Sequence, residues 1–230
     1  MKKLLLILFC LVLTQTVTAQ DFWMQKSYQR WTKDEIIKMI SSSPWAQVVG
    51  DTGNDQVLNA SYVTIRLRSA ITIRQALVRL KQIEASYDKM DKDKKAEFDK
   101  KMQGTLDCPA CQNNYVITVS PPISDRQLKS GIFSLVNVKF EQLKDNVYLI
   151  NDKNERRNLV HFIAPLSNDG EATFFFPRLD DSGKPLLTAD NKTFTLIFEK
   201  KGSSSFQNKS IPTSTSFDVT KMLIDKNVEF

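Results

Sequence analysis

Glycine is scarce, seven in 230 residues, which leaves little material for the backbone-lined loops that cradle phosphates or cofactors. The chain has no Gly-rich phosphate loop, no Gly-x-Ser-x-Gly nucleophile elbow and no HExxH helix. Histidine occurs once, as His161 in the apolar run 159–163. A Ser-His-Asp triad would have to work from mid-strand, where the ring has little freedom to move a proton. The expectation for His161 is therefore a hydrogen-bonded packing residue. Cysteine occurs three times, and Cys10 lies near the N-terminus in an apolar run. Cys108, Cys111 and His161 fall one short of a closed four-ligand zinc site, which would need recruited carboxylates or a second chain.

Partial motifs fail on inspection. Asp91-Lys92-Asp93 opens like a calcium loop, but Lys95 and Ala96 occupy the places of a ligand and the required glycine. Ser86 and Lys89 have the serine–lysine spacing of penicillin-interacting enzymes, with neither an SDN nor a KTG partner. Asp180-Asp181 falls in a turn signal, where Asp is expected for backbone reasons. An outer-membrane barrel strand ending at Phe230 is disfavoured, because Val228 fits the alternation and Lys226 does not.

What the chain does have begins at its first residue. Lys2 and Lys3 precede an apolar run from Leu4 to Leu13, and Val17 and Ala19 are small residues. This is the pattern of a secretory signal peptide cut after Ala19. The run is shorter than the about 20 residues a spanning helix needs, so no transmembrane segment is expected after cleavage. Cys10 sits behind bulky Phe9, unlike a lipid-modified cysteine at a cleavage point. Losing Lys2 and Lys3 lowers the net charge from +6 to +4. Spread over a chain of this length, that charge serves solubility and gives no nucleic-acid footprint. The densest charge run, 88–101, mixes signs, with Asp88–Lys92, Asp91–Lys95 and Glu97–Lys101 four apart. It reads as the wetted face of a helix.

Residues 21–30 show no clear pattern and read as a loose arm. Thr32 and Glu35 form a capping box, with Ile36, Ile37, Met39 and Ile40 as the apolar face of a helix that Pro44 stops. Trp45, Val48 and Val49 are placed against that helix, and 50–55 reads as a loop. Residues 62–68 alternate: Val63, Ile65 and Leu67 are expected inside, Thr64, Arg66 and Arg68 towards solvent. A second capping box, Thr72 with Gln75, opens an amphipathic stripe through Ile73, Ala76, Leu77, Leu80, Ile83, Tyr87 and Met90. That stripe either runs on through Phe98 and Met102 or folds into a hairpin near Met90. From Gly104 the character changes to short β-rich runs at 115–119, 132–140, 147–150, 159–164, 172–176 and 193–199, separated by turn signals. Residues 202–216 read as an exposed Ser/Thr-rich loop, and 217–230 as a closing helical turn or a last strand.

Cys108-Pro109-Ala110-Cys111 is the motif with the most chemical potential. In an exported protein the two cysteines are expected to be oxidised to each other. A redox pair of thioredoxin type wants a strand before the pair and a helix starting at the first cysteine. Here a charged helix precedes and a strand follows. The preferred reading is a structural clasp, with a redox pair and a metal site as the alternatives.

Several of these segments carry a resemblance. Trp31-Thr32 with Ser43-Pro44-Trp45-Ala46, Ser69-Ala70 with Arg74-Gln75-Ala76 and Arg79-Leu80, Cys108-Pro109-Ala110-Cys111 with Tyr115-Val116-Ile117 and Pro121-Pro122, and Phe176-Pro177-Arg178 with Gly183-Lys184-Pro185-Leu186 resemble a family of uncharacterised exported acidobacterial proteins. The resemblance implies a bacterial, envelope-associated protein and supplies no activity.

The expected architecture is α+β, in three parts: a signal peptide (1–19), a helix-rich region with one strand (20–106), and a mainly antiparallel β-sandwich (107–230). The expected role is a periplasmic or secreted protein without catalytic residues, cofactor or metal. It binds or scaffolds an unknown protein or envelope partner. A thiol–disulfide protein using Cys108 and Cys111, or a hydrolase built on carboxylates, is the alternative. Intact-mass analysis of exported protein should show a chain starting at Gln20. A full-length species retained in the membrane would contradict the export argument.

Overall fold

The computed structural model describes residues 21–51, 61–123, 130–199, 211–224 and 227–230. The expected leader and its cut after Ala19 lie outside them, as do 52–55 of the expected loop and most of 202–216. The segment expected to be a loose arm is ordered by its aromatics. It forms helix α1 (Phe22–Gln25) and a 3-10 turn, Tyr28–Arg30. Phe22 meets Trp31 edge-on at 5.4 Å between ring centres, and Trp23 meets buried Trp45 at 5.7 Å. The Thr32 capping box then opens α2 (Lys33–Ser41): Glu35 N donates to Thr32 Oγ1 at 3.3 Å and Thr32 N to Glu35 Oε2 at 2.8 Å. Ile36, Met39 and Ile40 are fully buried, as their spacing requires.

Around Pro44 the chain makes a hairpin of β1 (Ser42–Ser43) and β2 (Ala46–Asp51), and β3 (Ser61–Leu67) follows. Gly50 therefore belongs to a strand. It pairs with Tyr62, and a Cβ at Gly50 would lie 2.6 Å from the Tyr62 ring. This glycine makes room for a close cross-strand approach and does not mark a turn.

On β3 the alternation is real but the solvent face is not. Val63, Ile65 and Leu67 are buried as expected, while Thr64 and Arg66 are only 0% and 1% exposed. The strand lies inside the sheet, and helix α2 packs on it. Arg66 Nε donates to Ile40 O at the end of α2, and an Arg66 terminal nitrogen donates to Ser120 Oγ at 2.6 Å. The same nitrogen lies 3.6 Å from Glu171. Burial lowers the Arg66 pKa to about 10 against the opposing pull of Glu171, so the group stays charged at neutral pH.

Helix α3 (Ile71–Glu84) follows, capped differently from the sequence reading. Its N-cap is Ala70, and Thr72 is a buried helical residue whose hydroxyl has no hydrogen-bond partner among the described residues. The cap is tertiary: Ile71 N donates to the Glu229 carboxylate. The stripe folds into a hairpin, as one of the two readings has it. Ser86 takes φ 54°, a 3-10 turn spans Tyr87–Lys89, and Asp91 caps α4 (Lys92–Asp107) through Lys94 N at 2.9 Å. No residue of α4 is buried, in keeping with a wetted helix. The ion pairs differ from the expected ones: Asp91 meets Lys94 and Asp88 meets Arg79.

After α5 (Pro109–Asn113) come β4 (Asn114–Ser120), α6 (Phe140–Leu143), β5 (Val147–Asn151), β6 (Arg156–Asn158), β7 (His161–Ile163), β8 (Ala172–Pro177), β9 (Thr193–Phe198), β10 (Ser214–Asp218), β11 (Leu223–Ile224) and β12 (Asn227–Val228). Two expectations fail here. Residues 132–140 are not a strand: Ile132–Leu135 is a 3-10 turn, with Ile132 and Leu135 buried three apart and Phe133 exposed. Asn137 at φ 66° then breaks any extended run. Residues 159–164 are not one strand either. Leu159 N still bonds Val147 O in the second sheet, and Val160 N already bonds Phe175 O in the first. Residues 214–216, expected in a loop, pair with β9.

The strands form a six-stranded sheet in the order β1-β2-β3-β4-β8-β7, a four-stranded sheet β10-β9-β5-β6, and the small pair β11-β12. All these pairings are antiparallel, so the fold is α+β with antiparallel sheets. Ile65 and Leu67 face Val119 and Ile117 in register, and Ile117 faces Phe174. Phe174 meets Phe198 of the other sheet edge-on at 5.5 Å. Strands from both halves of the chain share the larger sheet through the β3–β4 pair.

Ile65→Ala should cost about 2–5 kcal/mol in denaturant unfolding. Arg66→Ala should cost about 3–5 kcal/mol, because it strips partners from a buried polar network. Thr64→Val keeps the shape and removes a buried hydroxyl without a partner among the described residues, so it should raise stability by about 1 kcal/mol. Equal losses at all three positions would contradict this assignment of the strand's two faces.

Candidate functional site

A groove lies between the two helices of the α3–α4 hairpin. Leu77 and Leu80 of α3 are half-buried against the core, while Ile73 and Ala76 on the same helix are fully buried. Phe98 and Met102, four apart on α4, face them across the groove. Arg68 closes one side from the end of β3, and Lys81, Glu84 and Lys101 stand at the lining's polar positions. The space is about 740 Å³, within the range of pockets that hold small molecules.

Few contacts fix α4 in place. Tyr87 meets Phe98 at 5.3 Å between ring centres and donates its hydroxyl to Asp99 at 2.8 Å. That hydrogen bond to Asp99 raises the phenol's pKa above its ordinary value. At the far end, Arg74 of α3 donates to Leu106 O. The charges of the lining are unevenly matched. Arg68 pairs with Glu171 at 2.8 Å and Lys81 with Glu84 at 2.8 Å, whereas Lys101 has no ion pair among the described residues.

Cys108 and Cys111 sit at the foot of α4 and are joined in a disulfide, with their Cα atoms 5.3 Å apart. Cys108 takes φ 41° between α4 and α5, and Pro109 starts α5. A short helix does begin at the first cysteine, contrary to the expectation from sequence. The element leading in is nevertheless α4 and not a strand. Cys111 is buried, with Sγ 3.9 Å from Arg68 O, and its carbonyl accepts from Arg178 Nε at 2.9 Å. The bridge thereby ties the end of α4 to the ends of β3 and β8.

No family model matches the chain, and no curated protein matches it. Among solved structures it is similar to a protein of unknown function from Burkholderia pseudomallei, with 14% identity over 66% of this chain and 74% of that one. The TM-score is 0.36. A likeness that distant carries no argument about activity.

The other sequence candidates fall elsewhere. His161 is exposed on the edge strand β7, its ring 5.1 Å from that of Phe175, and not enclosed in an apolar strand as expected. Among the described residues no group of three or more His, Cys, Asp or Glu could hold a metal ion, and no helix is long and apolar enough to cross a membrane. Asp180 does what its turn signal implies, accepting from the backbone of Ser182 and Lys184, each at 2.9 Å. In the sequence the α3 stripe reads as core, which conceals the groove. Its signal was the Phe98–Met102 pair on a helix otherwise too polar to be buried.

Replacing both cysteines by Ser should lower stability by about 2 kcal/mol, the loop-closure value for so small a ring. A readily reducible bond that turns over in a disulfide-exchange assay would contradict the clasp and favour the redox reading.

Proposed function

We propose that the chain is an exported, non-catalytic binding protein of the bacterial cell envelope, and that the α3–α4 groove is its binding site. The observation that carries this reading is the groove itself. Leu77, Leu80, Phe98 and Met102 offer apolar surface within one space of about 740 Å³, with Arg68, Lys81, Glu84 and Lys101 around it, as in sites that pair apolar walls with placed polar groups. The leader pattern of 1–19 and the oxidised Cys108–Cys111 pair support export. A carboxylate hydrolase would need two facing acids. Among the described residues the groove lining supplies only Glu84, held by Lys81.

The test is a titration of the oxidised, leader-free protein with the neutral apolar dye Nile red. Saturable binding of one dye per chain is expected. Met102→Glu should abolish it while leaving the circular dichroism and Tm unchanged, since α4 buries no residue. Equal binding by both proteins would rule out the groove as the site.

A further inference from the structure

Resting on that reading, we infer that the groove takes a small amphipathic anion: a single acyl-type chain ending in a carboxylate or a comparable head group. Two independent features converge on this class. The first is the apolar floor. From Leu77 to Glu84 the α3 wall runs about 10 Å at 1.5 Å per residue, and Phe98 and Met102 follow it on the opposite wall. Leu77 and Leu80 on that wall, with Phe98 and Met102 opposite, give an apolar stretch along which an unbranched chain can lie.

The second feature is charge. Arg68, Lys81 and Lys101 line the groove against the single carboxylate Glu84. Glu171 meets Arg68 and Glu84 meets Lys81. Lys101 is the cation left over: exposed, without an ion pair among the described residues, and one turn along α4 from Phe98 beside Met102. Its aliphatic stem can lie along the apolar wall while the ammonium reaches the head group. A cationic ligand would meet like charge at that place. An uncharged ligand would leave Lys101 in water and gain nothing from it.

Affinity should then have an apolar part and a charge part that separate experimentally. Isothermal titration of the oxidised, leader-free protein uses monomeric decanoate, decanol and decyltrimethylammonium. Decanoate should bind one per chain and more tightly than either of the others. Shortening it by two carbons should weaken binding about tenfold. Lys101→Gln should weaken decanoate about fivefold more than it weakens decanol, and added salt should narrow the gap between the two. If decanol and decyltrimethylammonium bind as tightly as decanoate, the anion assignment is wrong while the groove remains a binding site. If none of the three probes binds, and Nile red does not either, the groove reading fails with it. Binding to anionic vesicles without binding of monomeric decanoate would also overturn the inference, in favour of a membrane surface.

Discussion

A guanidinium in the middle of a sheet loses its water, and the loss is tolerable only when protein groups replace it. Arg66 finds them for Nε and one terminal nitrogen in three parts of the fold at once: Ile40 O at the C-terminal end of α2, Ser120 Oγ on the neighbouring strand β4, and Glu171 just before β8. The first contact works in both directions. The last carbonyls of a helix lack intrahelical donors and carry the negative end of its dipole, so a buried cation there satisfies the helix as the helix satisfies the cation. Seating α2 on the sheet and burying Arg66 are thus one event. The face of β3 that alternation assigns to water is closed by it.

The placement of α3 depends on a second long-range device. Glu229 accepts from Ile71 N with its side chain and from the Trp45 indole with its carbonyl. Phe230 packs on Tyr115 at 5.3 Å between ring centres, and Arg178 lies over both rings while donating to Phe230 O. Arg178 also holds Cys111 O. The start of α3 and the foot of α4 are therefore fixed to the same end of the large sheet. Between those points the two helices touch mainly through half-buried side chains. A groove remains open there because α4 has too few apolar residues to close onto α3.

What could be read in the sequence was whatever local pattern determines. The Thr32–Glu35 box, the strands at 115–119, 147–150, 172–176 and 193–199, and the turn at Asp180 all follow from spacing, propensity or hydrogen bonds to the nearby backbone. What escaped depends on partners far along the chain. Thr64 and Arg66 look solvent-facing because alternation cannot say whether a helix covers the polar face. The Thr72–Gln75 box is a correct local pattern overruled by a carboxylate more than 150 residues away. Gly50 looks like a turn because the Tyr62 ring that requires it comes from the next strand. Residues 132–140 are apolar enough for a strand, yet their burial has a period of three and Asn137 breaks the extension. The groove was hidden for a related reason, since a stripe that packs on a core and a stripe that lines a cavity have the same period.

The account depends on the helical layer, the large sheet and the groove forming one cooperative unit joined through Arg66 and the β3–β4 pair. The three tryptophans, Trp23, Trp31 and Trp45, all lie before β3, so their fluorescence reports on the N-terminal part and on the Glu229 segment that Trp45 holds. Hydrogen exchange of peptides covering β5 and β9 reports on the other sheet. Followed through the same denaturant titration, the two signals should change at one midpoint. Loss of tryptophan signal while β5 and β9 stay protected would mean that the two parts unfold separately, and would contradict the account.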